Sequence, residues 1–197
     1  MSVGASPDAS QVLRGRTIVV GVCGSIAAYK AALVVRLLVK MGADVHVLMT
    51  AAATRFVGPM TFRALSRHPV VSDMWAPETP WDEPHVMLGL QADCYLIAPA
   101  TADMLGRLAT GLADDIVSAT ALATRAPILV APAMSAEMAA APAVQENTAR
   151  LRARGLHVIG PERGELASGQ EGLGRLADPE AIVAEVVALA GGSGARQ

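Results

Sequence analysis

The sequence predicts an α/β fold: one domain, built as a parallel sheet with helices on both faces. Three observations carry that prediction. Continuous apolar runs at 17–23 and 94–98 have the pattern of strands covered on both sides. Helix-like stretches separate the strand-like ones, the order expected of parallel crossovers. Finally, two segments share one design. TIVVGVCGSIAAYK (17–30) and CYLIAPATADMLGRL (94–108) each pass from an apolar run through a turn of small residues into a helix. Small residues let a ligand come close to the backbone, and the N–H groups of a helix start favour an anion such as a phosphate. Two such turns predict a nucleotide-like ligand lying across the carboxyl ends of parallel strands.

The elements follow in order. Residues 1–14 are polar and small, and read as a disordered leader without the apolar segment of a signal peptide. After the strand at 17–23, Ser25 is expected to cap a helix running to about Met41, which Gly42 ends. A second strand spans 43–49. Thr50 opens a further helix-like stretch with Phe56 and Phe62 as its anchors. Residues 69–75 read as a short strand or edge piece, and 76–84, with Pro77, Pro80 and Pro84, as a loop. A short helix (85–91), a strand (94–98) and a helix (101–110) come next. The helix at 114–124 has Asp114 as its expected cap. Then follow a strand (127–131), a helical region (136–155) broken at Pro142, and the last strand (156–159). Residues 166–175 hold three glycines and no core pattern, and read as a flexible flap or hairpin. A helix at 179–190 closes the domain, leaving 191–197 as a disordered tail. No fixed-period repeat and no second core appear. The whole is a single Rossmann-like (flavodoxin-like) domain over 15–190.

Composition agrees with this and excludes several functions. A chain of 197 residues is long enough for one real core. It is 52% hydrophobic but 3% aromatic, so Ala, Val and Leu fill the interior, which suits helices packed closely on a sheet. A net charge of −2 gives no footprint for nucleic acid or a membrane surface. No apolar run is long enough to span a bilayer, and a cytoplasmic location is expected. Cys23 and Cys94 lie in strand-like runs and read as buried free thiols. His46, His68 and His157 read as ordinary strand and surface residues. No Cys/His spacing suits zinc, and no metal is expected.

Several stretches occur in an order that identifies a resemblance. They are GVCGSIAAYK (21–30), MTAAATRFVGPMTFRALS (49–66), PHVML (84–88), IAPATADMLGRLATGLADD (97–115), VAPAMSAEM (130–138) and ELASGQEGLGR (165–175). Over roughly 15–187 the chain resembles the homo-oligomeric flavin-containing cysteine decarboxylases. That family includes phosphopantothenoylcysteine decarboxylase of coenzyme A synthesis and the lantibiotic-type peptidyl-cysteine decarboxylases. The resemblance implies FMN as cofactor. Gly24, Ser25 and Ile26 would wrap its phosphate end with help from Thr50. Thr101, Ala102, Asp103 and Met104 would lie along the flavin, with Ala133 near the ring. His85 matches the family's essential histidine, and Met138 a methionine of its substrate motif. A homotrimer, or a multiple of trimers, is implied, with FMN near the subunit interface.

The departures matter as much. Ser135 stands where the family usually has an Asn that helps hold the substrate carboxylate. Ser168 stands where the coenzyme A enzymes have the Cys that helps reduce their enethiol intermediate. Asp103 replaces a usual Asn, and Ala139 a usual Trp. In the family, two electrons pass from a C-terminal cysteine to FMN, the resulting thioaldehyde loses CO₂, and an enethiol forms. A hydroxyl is a far weaker acid than a thiol, so Ser168 favours a reaction that stops at the enethiol. The expected function is therefore oxidative decarboxylation of the C-terminal cysteine of a peptide. The alternatives are the coenzyme A enzyme and, in a different class, a flavin-binding regulatory protein with little catalysis. Ser135, Met138 and Ser168 are the expected substrate contacts.

Overall fold

The computed structural model describes residues 11–76 and 83–192. Five parallel strands form the main sheet: β1 (Thr17–Val22), β2 (Asp44–Met49), β3 (Cys94–Ala100), β4 (Ile128–Pro132) and β5 (His157–Val158). Their order is β2-β1-β3-β4-β5. Alternate residues of a strand face opposite sides, and both sides here are core. Ile18, Val20 and Val22 face α1 (Ala28–Lys40), α2 (Pro59–Ser66) and α8 (Pro179–Gly192) through Val34, Leu38, Phe62, Ile182 and Val186. Val19, Tyr95 and Ile97 face the other layer. That layer is α3 (Pro84–Gln91), α4 (Ala102–Thr110), α5 (Ile116–Ala123) and α7 (Pro142–Ala153), the last preceded by the short α6 (Ala136–Ala140), packed through Leu88, Leu105, Val117 and Leu151. The chain turns outward in one direction from β1 to β2 and in the other from β3 to β5. The switch therefore falls between β1 and β3, and both small-residue turns leave the sheet there.

Several elements differ from expectation for local reasons. α1 is capped by Ala27 without a side-chain bond, because Ser25 spends its oxygen one turn earlier on the Ala27 N–H (3.2 Å). α5 starts at Asp115, not Asp114: Asp115 accepts from Val117 and Ser118, and Ser118 answers as a capping box. Phe62 is fully buried, whereas Phe56 is 52% exposed and joins neither hydrophobic cluster among the described residues. Residues 69–75 form an edge piece, as one of the two expectations has it: a single bridge of Val71 against Leu48 of β2. Pro84 is not loop but the first residue of α3, where its missing N–H costs nothing. Pro77 and Pro80 lie outside the described residues.

At the ends, Leu13 is buried and its N–H reaches the Met41 carbonyl, so order begins before residue 15. Residues 1–10 and 193–197 lie outside the described residues, and α8 runs on to Gly192. Cys23 and Cys94 are buried free thiols.

The glycine-rich segment forms an antiparallel hairpin, β6 (Glu162–Glu165) and β7 (Glu171–Arg175). Its glycines are there for contact. A Cβ on Gly172 would come within 2.8 Å of Ala136 Cβ, and one on Gly174 would strike the Met134 carbonyl. β7 thus lies flush on the segment after β4, held by Met134 N–H to the Gly174 carbonyl at 3.0 Å.

Candidate active site

The first turn is stitched to both neighbouring strand ends. Cys23 N–H reaches the Pro99 carbonyl (3.2 Å), and Thr50 N–H the Val22 carbonyl (3.0 Å). Gly24 sits against the segment after β2, where a Cβ would lie 2.5 Å from Ala52 Cβ and 2.9 Å from the Ala52 carbonyl carbon. Only glycine lets these turns close on each other.

Two cavities flank this junction. One, of about 470 Å³, lies between the first turn, the segment after β4 and the hairpin. Ser25, Ile26, Ala133, Ser135 and Ser168 line it, together with Lys30, Met134 and Arg175. The other, of about 480 Å³, lies between the ends of β1, β2 and β3 and the start of α4. Its lining includes Gly24, Thr50, Thr101, Asp103, Met104 and Met138, together with Arg107, Asp114 and Asp115. Consecutive residues of one turn, Gly24 and Ser25, thus divide between the two cavities.

Three hydroxyls are set in the same manner. Ser25, Thr50 and Thr101 each accept a backbone N–H, from Ala27, Ala53 and Met104 respectively, all at 3.2 Å. With the oxygen engaged as acceptor, each hydroxyl proton remains to be donated. The Ala102 and Asp103 N–H groups at the start of α4 have no intrahelical partner. The junction is therefore rich in donors.

Charge is distributed unequally. In the cavity at α4, Arg107 is ion-paired to Asp103 (2.7 Å), to Asp114 and more loosely to Asp115 (3.8 Å). In the hairpin-side cavity, Arg175 is held by Glu162 (2.7 Å) and Asp178 (3.4 Å). Lys30 and Glu165, which also lines this cavity, make no ion pair among the described residues, so one charge of each sign is uncommitted there. Cys23 borders the cavity at α4, but burial pushes its thiol far above the ordinary range, so it carries no thiolate.

Of the site residues expected from sequence, Ala102 and His85 line neither cavity. His85 sits in the first turn of α3, and its Nδ1 is buried without a hydrogen-bond partner among the described residues. Sequence reading missed Lys30 and Arg107. Both were findable by helical spacing: Lys30 follows the first turn within α1's first turn, and Arg107 is four residues after Asp103.

The family model for Flavoprotein matches residues 7–191, nearly the whole chain. The chain belongs to that family, in the branch of FMN-dependent cysteine decarboxylases that its solved relatives define. It is 50% identical over 167 residues to the coenzyme A biosynthesis bifunctional protein CoaBC of Mycobacterium tuberculosis, covering 85% of this chain and 40% of that protein. With Escherichia coli CoaBC it shares 46% over 176 residues, 89% of this chain and 43% of the relative. The chain thus spans about two fifths of the length of these curated relatives. Among solved structures it resembles the FMN-dependent cysteine decarboxylase SpaF, with TM-score 0.79 and 33% identity over 91% of this chain and 99% of that one. It also resembles a mutant PPC decarboxylase complexed with pantothenoylaminoethenethiol, with TM-score 0.78 and 28% identity over 88% and 97%.

Proposed function

We propose that this chain is an FMN-dependent oxidative decarboxylase acting on the C-terminal cysteine of a peptide and releasing an aminoenethiol. That it is a cysteine decarboxylase with FMN as cofactor follows from its family. The choice of peptide product rests on one observation: the hairpin presents Ser168, not a cysteine, to the cavity.

The residues present fit FMN. The donors at the junction, Ser25, Thr50, and Thr101 with the α4 N–H groups, suit a phosphate and the polar edge of a ring. The absent Cβ of Gly24 lets the first turn close on Ala52 beside these donors, with Ile26 next along the turn. Ala102, Asp103 and Met104 would run along the flavin and Ala133 would close on the ring. Bound FMN supplies a two-electron acceptor for the cysteine.

The chain's own groups do the rest. Lys30 offers a cation to an anionic substrate in the hairpin-side cavity. Ser135 lines that cavity while its Oγ accepts the Met138 N–H (3.3 Å), and Met138 stands at the neighbouring cavity's wall. Ser168 can donate a hydrogen bond but is too weak an acid to supply the proton that reduction of the enethiol needs. A PPC decarboxylase with serine in place of a cysteine, found with an aminoethenethiol bound, agrees with that reasoning. His85 would orient or deprotonate the substrate. Because it lines neither cavity of its own chain, it would serve a neighbouring copy in a homotrimer. Ile26 and Tyr29, both more than half exposed beside the hairpin-side cavity, offer apolar surface for that contact.

A second reading is favoured by a different observation. The 50% identity to CoaBC points to the phosphopantothenoylcysteine substrate of coenzyme A synthesis. Comparing kcat/KM of the FMN-loaded protein on a Cys-ended peptide and on phosphopantothenoylcysteine separates the two. Turnover of peptide with enethiol release supports the proposal. Turnover of the small substrate alone, through to the saturated thiol, replaces it.

A further inference from the structure

At the opposite end of the sheet three side chains converge that no part of the flavin chemistry uses. Asp44 opens β2, and His46 follows two residues later on the same face of the strand. His68 comes two residues after the end of α2. Both imidazoles aim Nε2 at the one carboxylate: His68 lies 2.6 Å from Oδ1 and His46 lies 3.4 Å from Oδ2. The rings stack with centroids 4.2 Å apart and planes 26° from parallel. All three ligand atoms lie within 4.8 Å of one another, the one such cluster among the described residues.

The backbone is arranged to put His68 there. Arg67, just before it, has φ +65°, the one non-glycine residue with positive φ among the described residues. The buried Ser66 hydroxyl accepts the His68 N–H at 3.2 Å. A left-handed residue and a side-chain clamp thus fix a loop that would otherwise be free to swing. His46 is itself buried, so its ring has little freedom either.

We propose that Asp44, His46 and His68 form a binding site for a divalent transition-metal cation of the zinc class. Two imidazole nitrogens and one carboxylate oxygen are the donors such a cation takes, at about 2.0–2.2 Å each. A tetrahedral ion with those bonds places its ligand atoms roughly 3.4 Å apart. The spacing is reached by rotation of the exposed Asp44 and partly exposed His68 side chains, with His46, the strand and the loop staying in place. Solvent fills the remaining position. Each histidine binds as the neutral ring, so uptake releases whatever proton its Nε2 carries. The ion would clasp the loop after α2 to the edge strand of the sheet. Thr50, at the cofactor junction, is six residues further along the chain, about 20 Å at strand rise. The site is therefore independent of the decarboxylase reading.

The test uses untagged, FMN-loaded protein after chelator dialysis, titrated with Co²⁺ and, in parallel, with Zn²⁺ during thermal unfolding. The expected result is one Co²⁺ per chain with visible d–d bands, and a Zn²⁺-dependent rise in Tm. His68→Gln and Asp44→Asn should each weaken binding by at least about tenfold, since even outer-shell partners are worth about 10–100-fold. His68 is partly exposed, so its variant keeps the fold, which the retained flavin spectrum checks. Absence of d–d bands and of a Tm shift in the wild type, or binding that both variants retain, would overturn the proposal.

Discussion

The hairpin-side cavity and the cavity at α4 differ in what fixes their walls. The second is walled by buried strand ends and by two capped helices: Thr101 caps α4, and Asp115 caps α5. The first borrows much of its wall from β6 and β7, which join no other sheet. The hairpin is held through Met134 and by the Glu162–Arg175–Asp178 ion pairs, with Leu173 exposed and Ser168 at an exposed tip that borders the cavity. Surface ion pairs of this kind contribute little, ~0–1 kcal/mol each. The difference teaches which wall the core of the fold holds in place. One wall is set by the sheet; the other is an appended element whose tip residues are exposed and lie outside the core.

The sharpest way to break the comparison is at the residue that borders both cavities' shared turn. Gly24→Asp should abolish FMN uptake, read as flavin absorbance per chain after reconstitution. Its Cβ already collides with Ala52, and its carboxylate would repel the phosphate. A fully yellow variant would mean that the phosphate lies elsewhere. Next in size is His85→Asn. It should lower turnover by about 10²–10⁴-fold, the usual worth of a general acid or base, while flavin stays bound. Mixing it with Gly24→Asp should restore some activity if each copy's histidine serves its neighbour's cavity.

Two smaller effects separate the walls. Lys30→Gln should raise KM for a Cys-ended peptide about tenfold with kcat little changed, because a hydrogen bond to a charged group is worth about 1.5–3 kcal/mol. Steady-state kinetics checks it, and flavin affinity should move less. Asp115→Ala removes the α5 cap and should cost about 1 kcal/mol of stability, seen as a lower denaturant midpoint at unchanged slope. The hairpin-side kinetics should not respond.

The strands of the main sheet were legible because parallel strands buried on both faces are continuous apolar runs, as Ile18–Val20 and Leu96–Ala98 are. The turns were legible because small residues follow those runs directly. Caps were less so: Asp114 and Asp115 are adjacent, and only the bonds that Asp115 accepts from Val117 and Ser118 decide between them. Phe56 looked like core because aromatic residues are scarce, but its place depends on how the segment after β2 folds back. The hairpin hid its packing, since Gly172 and Gly174 pack by lacking side chains and leave no hydrophobic pattern to read. The Asp44–His46–His68 cluster was invisible for a similar reason. His68 meets β2 only through tertiary structure, 24 residues from Asp44 in sequence.

The central claim is that Ser168 on the hairpin ends the reaction at the enethiol. The most direct measurement is the mass of the product formed by the FMN-loaded wild-type protein from a Cys-ended peptide. Loss of CO₂ and two hydrogens predicts a product about 46 Da lighter than the substrate, since without a proton donor the reduced flavin does not hand its electrons back to the enethiol. A product about 44 Da lighter, the saturated thiol, would contradict the account, because both electrons would then have returned despite the serine.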